Sequence, residues 1–334
     1  MQAYALSLDF LRQAVHPAIT GFRDRLLKEG ASPSRVYRVA LAYPPGHSGI
    51  VSVILKVIAP DWPDDPHGPD REPRFYSQVY PQLDRQQPQI YYVGADPERG
   101  YRLIVMEDLA KSHRFPLPTH RWSIEEARCI LRAYARLHAR GSACLPPVDE
   151  RAWMWRMELQ KRSWDAGELL TLIESLVGRG IWSPLPGVQW LVENTLAETE
   201  AFAAGSPTLL HNDVYPPNIA LPTDLATEAV LLDWEMAGWG LAELDIAFLF
   251  LQPFRSASGI DRATALEYYW SQRRAFEGAC PPAGEREARL CHAEAVWALS
   301  LVPVAHRVAN KPYPAGSAPR LYWDSMFGVL EERL

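Results

Sequence analysis

The sequence predicts an α+β chain in two lobes, a small N-terminal β-sheet lobe over residues 1–109 and a larger, mostly helical C-terminal lobe over residues 110–334. Three observations carry this. Runs rich in β-branched and aromatic residues, separated by turn residues, crowd into the first lobe. After Leu109 the apolar residues recur at helical spacing instead. At 334 residues, the chain also has room for about two domains of roughly 150 residues each.

Taken in order, Leu8, Leu11 and Val15 stand at helical spacing and predict helix within residues 4–28, with Pro17 breaking the run. Val36–Tyr43 and Ile50–Ile58 read as strands, and the turn residues Pro44–Gly49 between them make a β-hairpin. A proline- and aspartate-rich loop, Ala59–Pro69, leads to a short helix from Arg71 to Val79. Gln89–Val93 and Tyr101–Met106 read as two further strands. In the second lobe, Ser123 and Glu126 form a capping box. Ala127, Ile130, Leu131, Tyr134, Leu137 and His138 then continue at helical spacing. Residues 151–204 and 262–334 also read as mostly helical. Short strands are expected at Leu209–Leu210, Ile219–Leu221 and Val230–Leu232.

Composition excludes several classes. Apolar residues make up 48% and charged residues 22%, the balance of an ordinary globular chain with a sizeable core. A net charge of -6 argues against nucleic acid as a partner, because phosphate neutralisation needs clustered Lys and Arg. The cysteines Cys129, Cys144, Cys280 and Cys291 form no CxxC pair and are too few for a disulfide framework, which points to a reducing compartment. The first residues lack a basic and an apolar leader segment, and the apolar runs near 246–254 and 295–305 fall short of the ~20 residues that span a bilayer. The expectation is a cytoplasmic protein with no membrane partner; the sequence does not set its oligomeric state.

The chemistry concentrates in Leu209-Leu-His-Asn-Asp-Val-Tyr-Pro-Pro-Asn-Ile-Ala-Leu221. Apolar pieces flank a polar loop holding Asp213 and Asn218. If 219–221 pairs with 230–232 as a hairpin, Asn218 faces Asp233 at its open end. A carboxylate and an amide oxygen there suit a hard cation such as Mg²⁺. Lys56 is a second anomaly, a charge inside the apolar run Val51–Ile58. Glu72 is its match, since it shares a helix face with Phe75, Tyr76, Val79 and Leu83 and so points inward. An unpaired charge facing a core costs several kcal/mol, so each residue explains the other. Phosphoryl transfer uses such a Lys–Glu pair to hold phosphates.

His211-Asn-Asp-Val-Tyr-Pro-Pro-Asn218 resembles the H-x-D-x4-N catalytic loop of the aminoglycoside phosphotransferase and choline kinase superfamily, whose fold is protein-kinase-like. Asp233-Trp-Glu235 stands where that family has its metal-binding Asp motif. The continuation Met236-Ala-Gly-Trp-Gly240 and Leu244-Asp-Ile-Ala247 is similar to the family's next segment, Leu103–Leu109 resembles the hinge strand, and Arg136-Leu-His-Ala139 resembles the helix under the catalytic loop. The resemblance implies a small-molecule kinase that transfers the γ-phosphoryl of ATP or GTP, with Mg²⁺, to a hydroxyl of a small acceptor. It implies that Asp213 is the catalytic base, that Asn218 and Asp233 hold Mg²⁺, and that Lys56, positioned by Glu72, binds the α/β-phosphates. Backbone groups at Met106, Glu107 and Asp108 would hold the base. Asp245 and His211 would brace the loop, and His138 is expected in the core. The chain departs from a glycine-rich phosphate loop. The covering segment is either Gly30-Ala-Ser-Pro-Ser34, ahead of the first expected strand, with the Ser32 and Ser34 hydroxyls helping, or Gly46–Gly49. Asn212 stands where the family more often has Gly. The rival readings are a catalytically silent nucleotide-binding scaffold and a kinase of a protein partner.

From Gly180 to Phe254 there is no Lys or Arg but there are ten acidic residues. The resulting negative potential would attract a cationic or amine-bearing acceptor. Trp153, Trp155, Trp164, Trp182 and Trp190 fall where the family builds its acceptor pocket, and Trp faces favour cations. The alternative is a neutral hydroxylated metabolite, with the acidity serving Mg²⁺ alone.

Overall fold

The computed structural model describes residues 4–29, 33–62, 65–83, 88–117, 120–156, 165–180, 187–203, 207–251, 254, 260–278 and 280–309. The chain forms two compact units, and neither is contiguous in sequence. The first comprises Met1–Phe115, Pro146–Met154 and Ala220–Ala237; the second comprises Pro116–Leu145, Trp155–Ile219 and Gly238–Leu334. A single cut after residue 109 therefore does not describe the packing. Residues 220–237 join the first unit because Leu221 and Pro222 pair with its short strand at His113–Arg114 and because Lys56 captures Asp233.

The first unit is built on helix α1 (Leu8–Ala14), strands β1 (Gly21–Glu29), β2 (Ser34–Ala42) and β3 (Ser52–Ile58), helix α2 (Gly68–Arg74), and strands β4 (Ile90–Ala95) and β5 (Arg102–Glu107). The five strands form one antiparallel sheet in the order β1-β2-β3-β5-β4. The hairpin of β2 and β3 and the strands β4 and β5 lie where the turn residues and β-branched runs place them.

Residues 21–29 overturn the expected helix. Helix ends at Ala14, and after Pro17 the chain becomes an edge strand. Its residues are mostly exposed, as in Arg23-Asp-Arg25, so no alternation of apolar and polar residues announces it, and the ladder to β2 decides its conformation.

Alternation along β3 sends Val53, Leu55 and Val57 into a core with Leu11, Ile19, Val39, Leu103 and Val105, and Lys56 to the opposite face. Helix α2 starts with Pro69 in its first turn, a position that lacks a hydrogen-bond partner in any case. It runs on through a π-turn, Phe75–Val79, and buries Phe75, Tyr76 and Val79. A second, three-stranded sheet joins β6 (His113–Arg114), β8 (Ile219–Pro222) and β9 (Val230–Leu231) in the order β6-β8-β9.

The second unit is mostly helical: α3 (Ile124–Cys144), α4 (Ala166–Gly178), α5 (Val188–Ala203), α6 (Glu243–Leu251), α7 (Arg262–Glu277) and α8 (Ala283–Ala309), with a two-stranded sheet of β7 (Thr208–Leu210) and β10 (Gly238–Gly240). The capping box forms as read: the Ser123 hydroxyl accepts from the Glu126 amide at 3.2 Å, and the Glu126 carboxylate accepts from the Ser123 amide at 2.6 Å. Helix α3 buries Ala127, Ile130, Leu131, Tyr134, Leu137 and His138. It passes so close to β7 that a Cβ on Gly141 would stand 2.6 Å from the Thr208 hydroxyl and 2.7 Å from the Leu209 Cβ. The predicted helix beyond residue 309 lies outside the described residues.

Candidate active site

In the first unit, Lys56 is 4% exposed and its ammonium gathers three carboxylates. It pairs with Glu72 at 2.5 Å, with Asp233 through Oδ1, and with Glu235 at 3.7 Å. Burial alone would push the Lys56 ammonium down, but Asp233, Glu72 and Glu235 outweigh it, so it stays protonated well above the ordinary lysine range. Burial raises Glu72 to about 7 against the opposing pull of Lys56. Burial opposes ionisation of Asp233 too, yet Lys56 and then Lys28 prevail and hold it at about 2. Glu72 also accepts the Trp234 amide at 3.2 Å, and the Trp234 ring stacks on Phe75 at 3.9 Å between centroids. The helix that carries Glu72 is thus fastened to the segment that carries Asp233. Asp233 itself adopts a left-handed backbone, with φ 65°, which Asp tolerates better than most residues.

In the second unit, the loop after β7 is held by one buried carboxylate. Asp245, fully buried on α6, accepts the backbone amides of His211 and Asn212, each at 2.8 Å. His138 Nε2 lies 3.2 Å from its Oδ2, and His138 Nδ1 lies 2.8 Å from the Tyr269 hydroxyl. Asn212 is left-handed, with φ 60°. This turns the chain so that Asp213 follows directly. The Asp213 amide donates to His211 Nδ1 at 3.3 Å. The Asn218 side-chain amide donates to the Asp213 carboxylate at 2.6 Å and to its carbonyl at 3.2 Å. Pro216 and Pro217 stiffen the turn between them. Gly238 in the Met236–Gly240 segment has a steric reason: a Cβ there would stand 2.4 Å from both the Asn212 Nδ2 and the Trp155 carbonyl.

The remaining predicted residues divide. Ser32 lies outside the described residues. Ser34 is buried as the first residue of β2, opposite Ile58. The segment Gly30–Ser34 joins β1 to β2, because residues 21–29 are a strand, whereas Gly46–Gly49 joins β2 to β3. Met106 and Glu107 end β5, and the Glu107 amide is already engaged by the Gln89 carbonyl at 2.8 Å. The Asp108 carboxylate is spent within the unit: it pairs with Arg38 at 2.8 Å, accepts the Ser52 hydroxyl at 2.8 Å and caps the following turn. Trp153 is buried, Trp190 is 67% exposed, and Trp164 and Trp182 lie outside the described residues.

Two residues that the sequence reading passed over matter here. Lys28 pairs with the other oxygen of Asp233 at 3.3 Å. Arg71, 2% exposed, donates to the carbonyls of Trp153 and Glu235 at 2.9 and 3.0 Å and to Asp65 at 2.7 Å. Its neighbour Glu72 was the clue to Arg71, a second charge beside it in a buried helix. Nothing signalled Lys28 once its segment read as helix.

Asn218 uses its amide nitrogen on Asp213, so the amide oxygen is not the atom engaged there. In the first unit, Asp233 carries a carboxylate, an oxygen donor of the type that hard divalent cations take. Among the described residues no group of three or more His, Cys, Asp or Glu side chains is arranged to hold a metal.

The five-stranded sheet unit with a buried Lys–Glu pair and the helical unit with a braced H-x-D-x4-N loop define a protein-kinase-like fold. Solved structures agree. A Ralstonia eutropha protein assigned to the aminoglycoside phosphotransferases matches with a TM-score of 0.66 at 16% identity, over 97% of this chain and 95% of that one. The amicoumacin kinase hAmiN, in complex with AMP-PNP, Ca²⁺ and Ami, matches with 0.60 at 12% identity, over 97% and 93%. The choline kinase LicA from Streptococcus pneumoniae matches with 0.54 at 14% identity, over 97% and 95%. A sequence comparison with curated proteins finds no significant match. The model of the phosphotransferase enzyme family covers residues 25–293, and the chain belongs to that family. It is a phosphotransferase of the kind that acts on hydroxyl acceptors. No described helix is long and apolar enough to cross a membrane.

Proposed function

We propose that this protein is a small-molecule kinase that transfers the γ-phosphoryl of ATP or GTP to a hydroxyl of an amine-bearing acceptor, with Asp213 as the base. The observation that carries the reading is the buried Lys56 ammonium held between Glu72 and Asp233. A lysine kept charged and fixed in a sheet is suited to the α/β-phosphates, because phosphoryl transfer depends on positioning and charge neutralisation. Mg²⁺, when bound, would neutralise charge on the phosphates. Asn218 and Asp233 are the residues to hold it. Asn218 also fixes the Asp213 carboxylate through its amide nitrogen. The bond and the Asp245 brace leave Asp213 one orientation in which to accept the acceptor's hydroxyl proton. Backbone groups at Met106–Asp108 other than the engaged Glu107 amide would serve the base.

The stretch from 180 to 254 without Lys or Arg supports an amine-bearing acceptor, as do the aminoglycoside and choline named for two of the similar structures. Several of its acids have internal partners: Asp233 and Glu235 meet Lys56, and Asp245 meets the loop amides. A phosphorylation screen with amino sugars, amino alcohols and neutral polyols tests the proposal. Turnover confined to the amine-bearing sets is expected. Turnover confined to polyols overturns the acceptor class, and nucleotide binding without transfer to any acceptor overturns the kinase reading.

A further inference from the structure

Lys28, Val36 and Lys56 form one row across the sheet. Lys28 stands opposite Val36 in the β1–β2 ladder, and Val36 stands opposite Lys56 in the β2–β3 ladder. Residues opposite one another share a sheet face, so the two lysines rise from the same face with one aliphatic residue between them. A bulge puts Lys28 there. The register shifts between Leu26 and Lys28, with Leu27 as the extra residue; in a regular ladder Leu27 would take the place opposite Val36. Both ammonium groups converge on Asp233, one on each oxygen: Lys56 on Oδ1, and Lys28 at 3.3 Å from Oδ2. Their surroundings differ. Lys56 is buried and tied to Glu72 as well, whereas the Lys28 side chain is 47% exposed and has Asp233 as its ion-pair partner. Of the two, Lys28 can leave.

The sequence that follows is poor in backbone donors for phosphate. Gly30-Ala-Ser-Pro-Ser34 has one glycine, and Pro33 offers no N–H, so its backbone can donate less to phosphate oxygens than a glycine-rich turn. A lysine at the end of β1 supplies the missing positive charge.

We propose that Lys28 is a second phosphate-binding residue, one that occupies the Oδ2 oxygen of Asp233 while no metal nucleotide is bound and moves to the phosphate chain when that oxygen turns to the cation. The proposal rests on the assignment of Asp233 and Lys56 to the phosphates made above. Lys28 then acts twice. It screens a carboxylate that would otherwise sit beside Glu72 and Glu235, and it adds a contact once the phosphates arrive.

The two roles predict shifts of opposite sign in one variant. Lys28→Met removes a competitor from Asp233, so Mn²⁺ should bind the nucleotide-free protein more tightly, by ~3–10-fold. The same variant loses a phosphate contact, so ATP measured at saturating Mn²⁺, where the cation holds Asp233 and frees Lys28, should bind ~5–30-fold more weakly. Lys28→Arg keeps the charge and should restore most of the ATP affinity. Both bindings are read by calorimetry, without turnover. Lys28→Met protein that binds ATP and Mn²⁺ as wild type does overturns the proposal. Weaker binding of both ligands also overturns it, since that pattern means a damaged sheet edge. If wild-type protein binds no nucleotide at all, the kinase assignment fails instead, and the two failures are told apart.

Discussion

Replacing Lys56 with Met removes the charge on which three carboxylates depend, and the structure sets the size and pH dependence of the result. Lys56, Glu72 and Asp233 are buried or nearly so, and breaking a buried ion pair by deleting one partner costs ~3–5 kcal/mol, because the other partner keeps its desolvation penalty. For a protein of 334 residues, whose unfolding entropy is about 0.7 kcal/mol/K, that is a fall in Tm of ~4–7 °C at pH 8. The sign of the pH effect follows from Glu72. Its pKa is raised to about 7 from an ordinary 4.5, so the folded protein holds that proton more tightly than the unfolded chain does. Stability from this source is fully present below pH 4.5 and is lost as the pH rises through about 7. Without the ammonium, Glu72 rises further. The deficit of Lys56→Met is therefore larger at pH 8 than at pH 5.5, where Glu72 is neutral. It does not vanish at pH 5.5, because Asp233, held at about 2, is still ionised there. Thermal unfolding of wild type and variant at the two pH values measures this. The double variant Lys56→Met/Glu72→Leu should recover much of the loss at pH 8 without recovering activity. A variant that melts within a degree of wild type at pH 8, or whose deficit is the same at both pH values, refutes the account of Lys56 as a charge neutralised by Glu72 and Asp233.

Asp213→Ala should lower kcat by ~10²–10⁴-fold while nucleotide affinity by calorimetry stays near wild type; normal turnover would remove Asp213 as the base. Asp233→Asn keeps the shape but halves the oxygen donors and loses the charge. It should raise the Mg²⁺ concentration needed for half-maximal rate along with lowering the rate, and an unchanged Mg²⁺ titration would count against ligation by this residue.

The legible parts of the fold were those with a strong local signal. The hairpin of β2 and β3, the capping box at Ser123 and the apolar stripe of α3 all follow rules that operate within a few residues. Lys56 and Glu72 could be paired across the sequence because each was a charge in an apolar place, and a buried charge needs a partner. Strand β1 was not legible. It is an edge strand with polar residues on both faces, and its conformation depends on a neighbour that the local sequence does not reveal. Losing β1 also hid Lys28, and it put the Gly30–Ser34 segment ahead of the sheet instead of between its first two strands. Arg71 was hidden for another reason. Its partners are mostly backbone carbonyls, which leave no mark in residue identity.

Among the described residues, the non-glycine positions with positive φ are Asn212 and Asp233, each beside or within the functional loops. A left-handed backbone at a non-glycine residue persists when its surroundings fix it, and both positions are fixed by ionic partners: the Asp245 carboxylate on the Asn212 amide, and the two lysines on Asp233. At Asn212 the fixing contact is to the backbone, so the side chain can change while the contact survives. Glycine reaches φ 60° without strain, so Asn212→Gly should keep kcat within about threefold and leave the loop in place. Valine should not. A β-branched side chain at that φ is a steric outlier, and relieving it means pulling the amide from Asp245, which leaves a buried carboxylate short of a donor. Asn212→Val should then lose ~2–4 kcal/mol of stability and at least tenfold in kcat, with Asp213 displaced as the next residue. Should the valine variant match the glycine variant in both Tm and kcat, the Asp245 bond does not set the position of Asp213, and the loop must be held by Asn218 and its prolines alone.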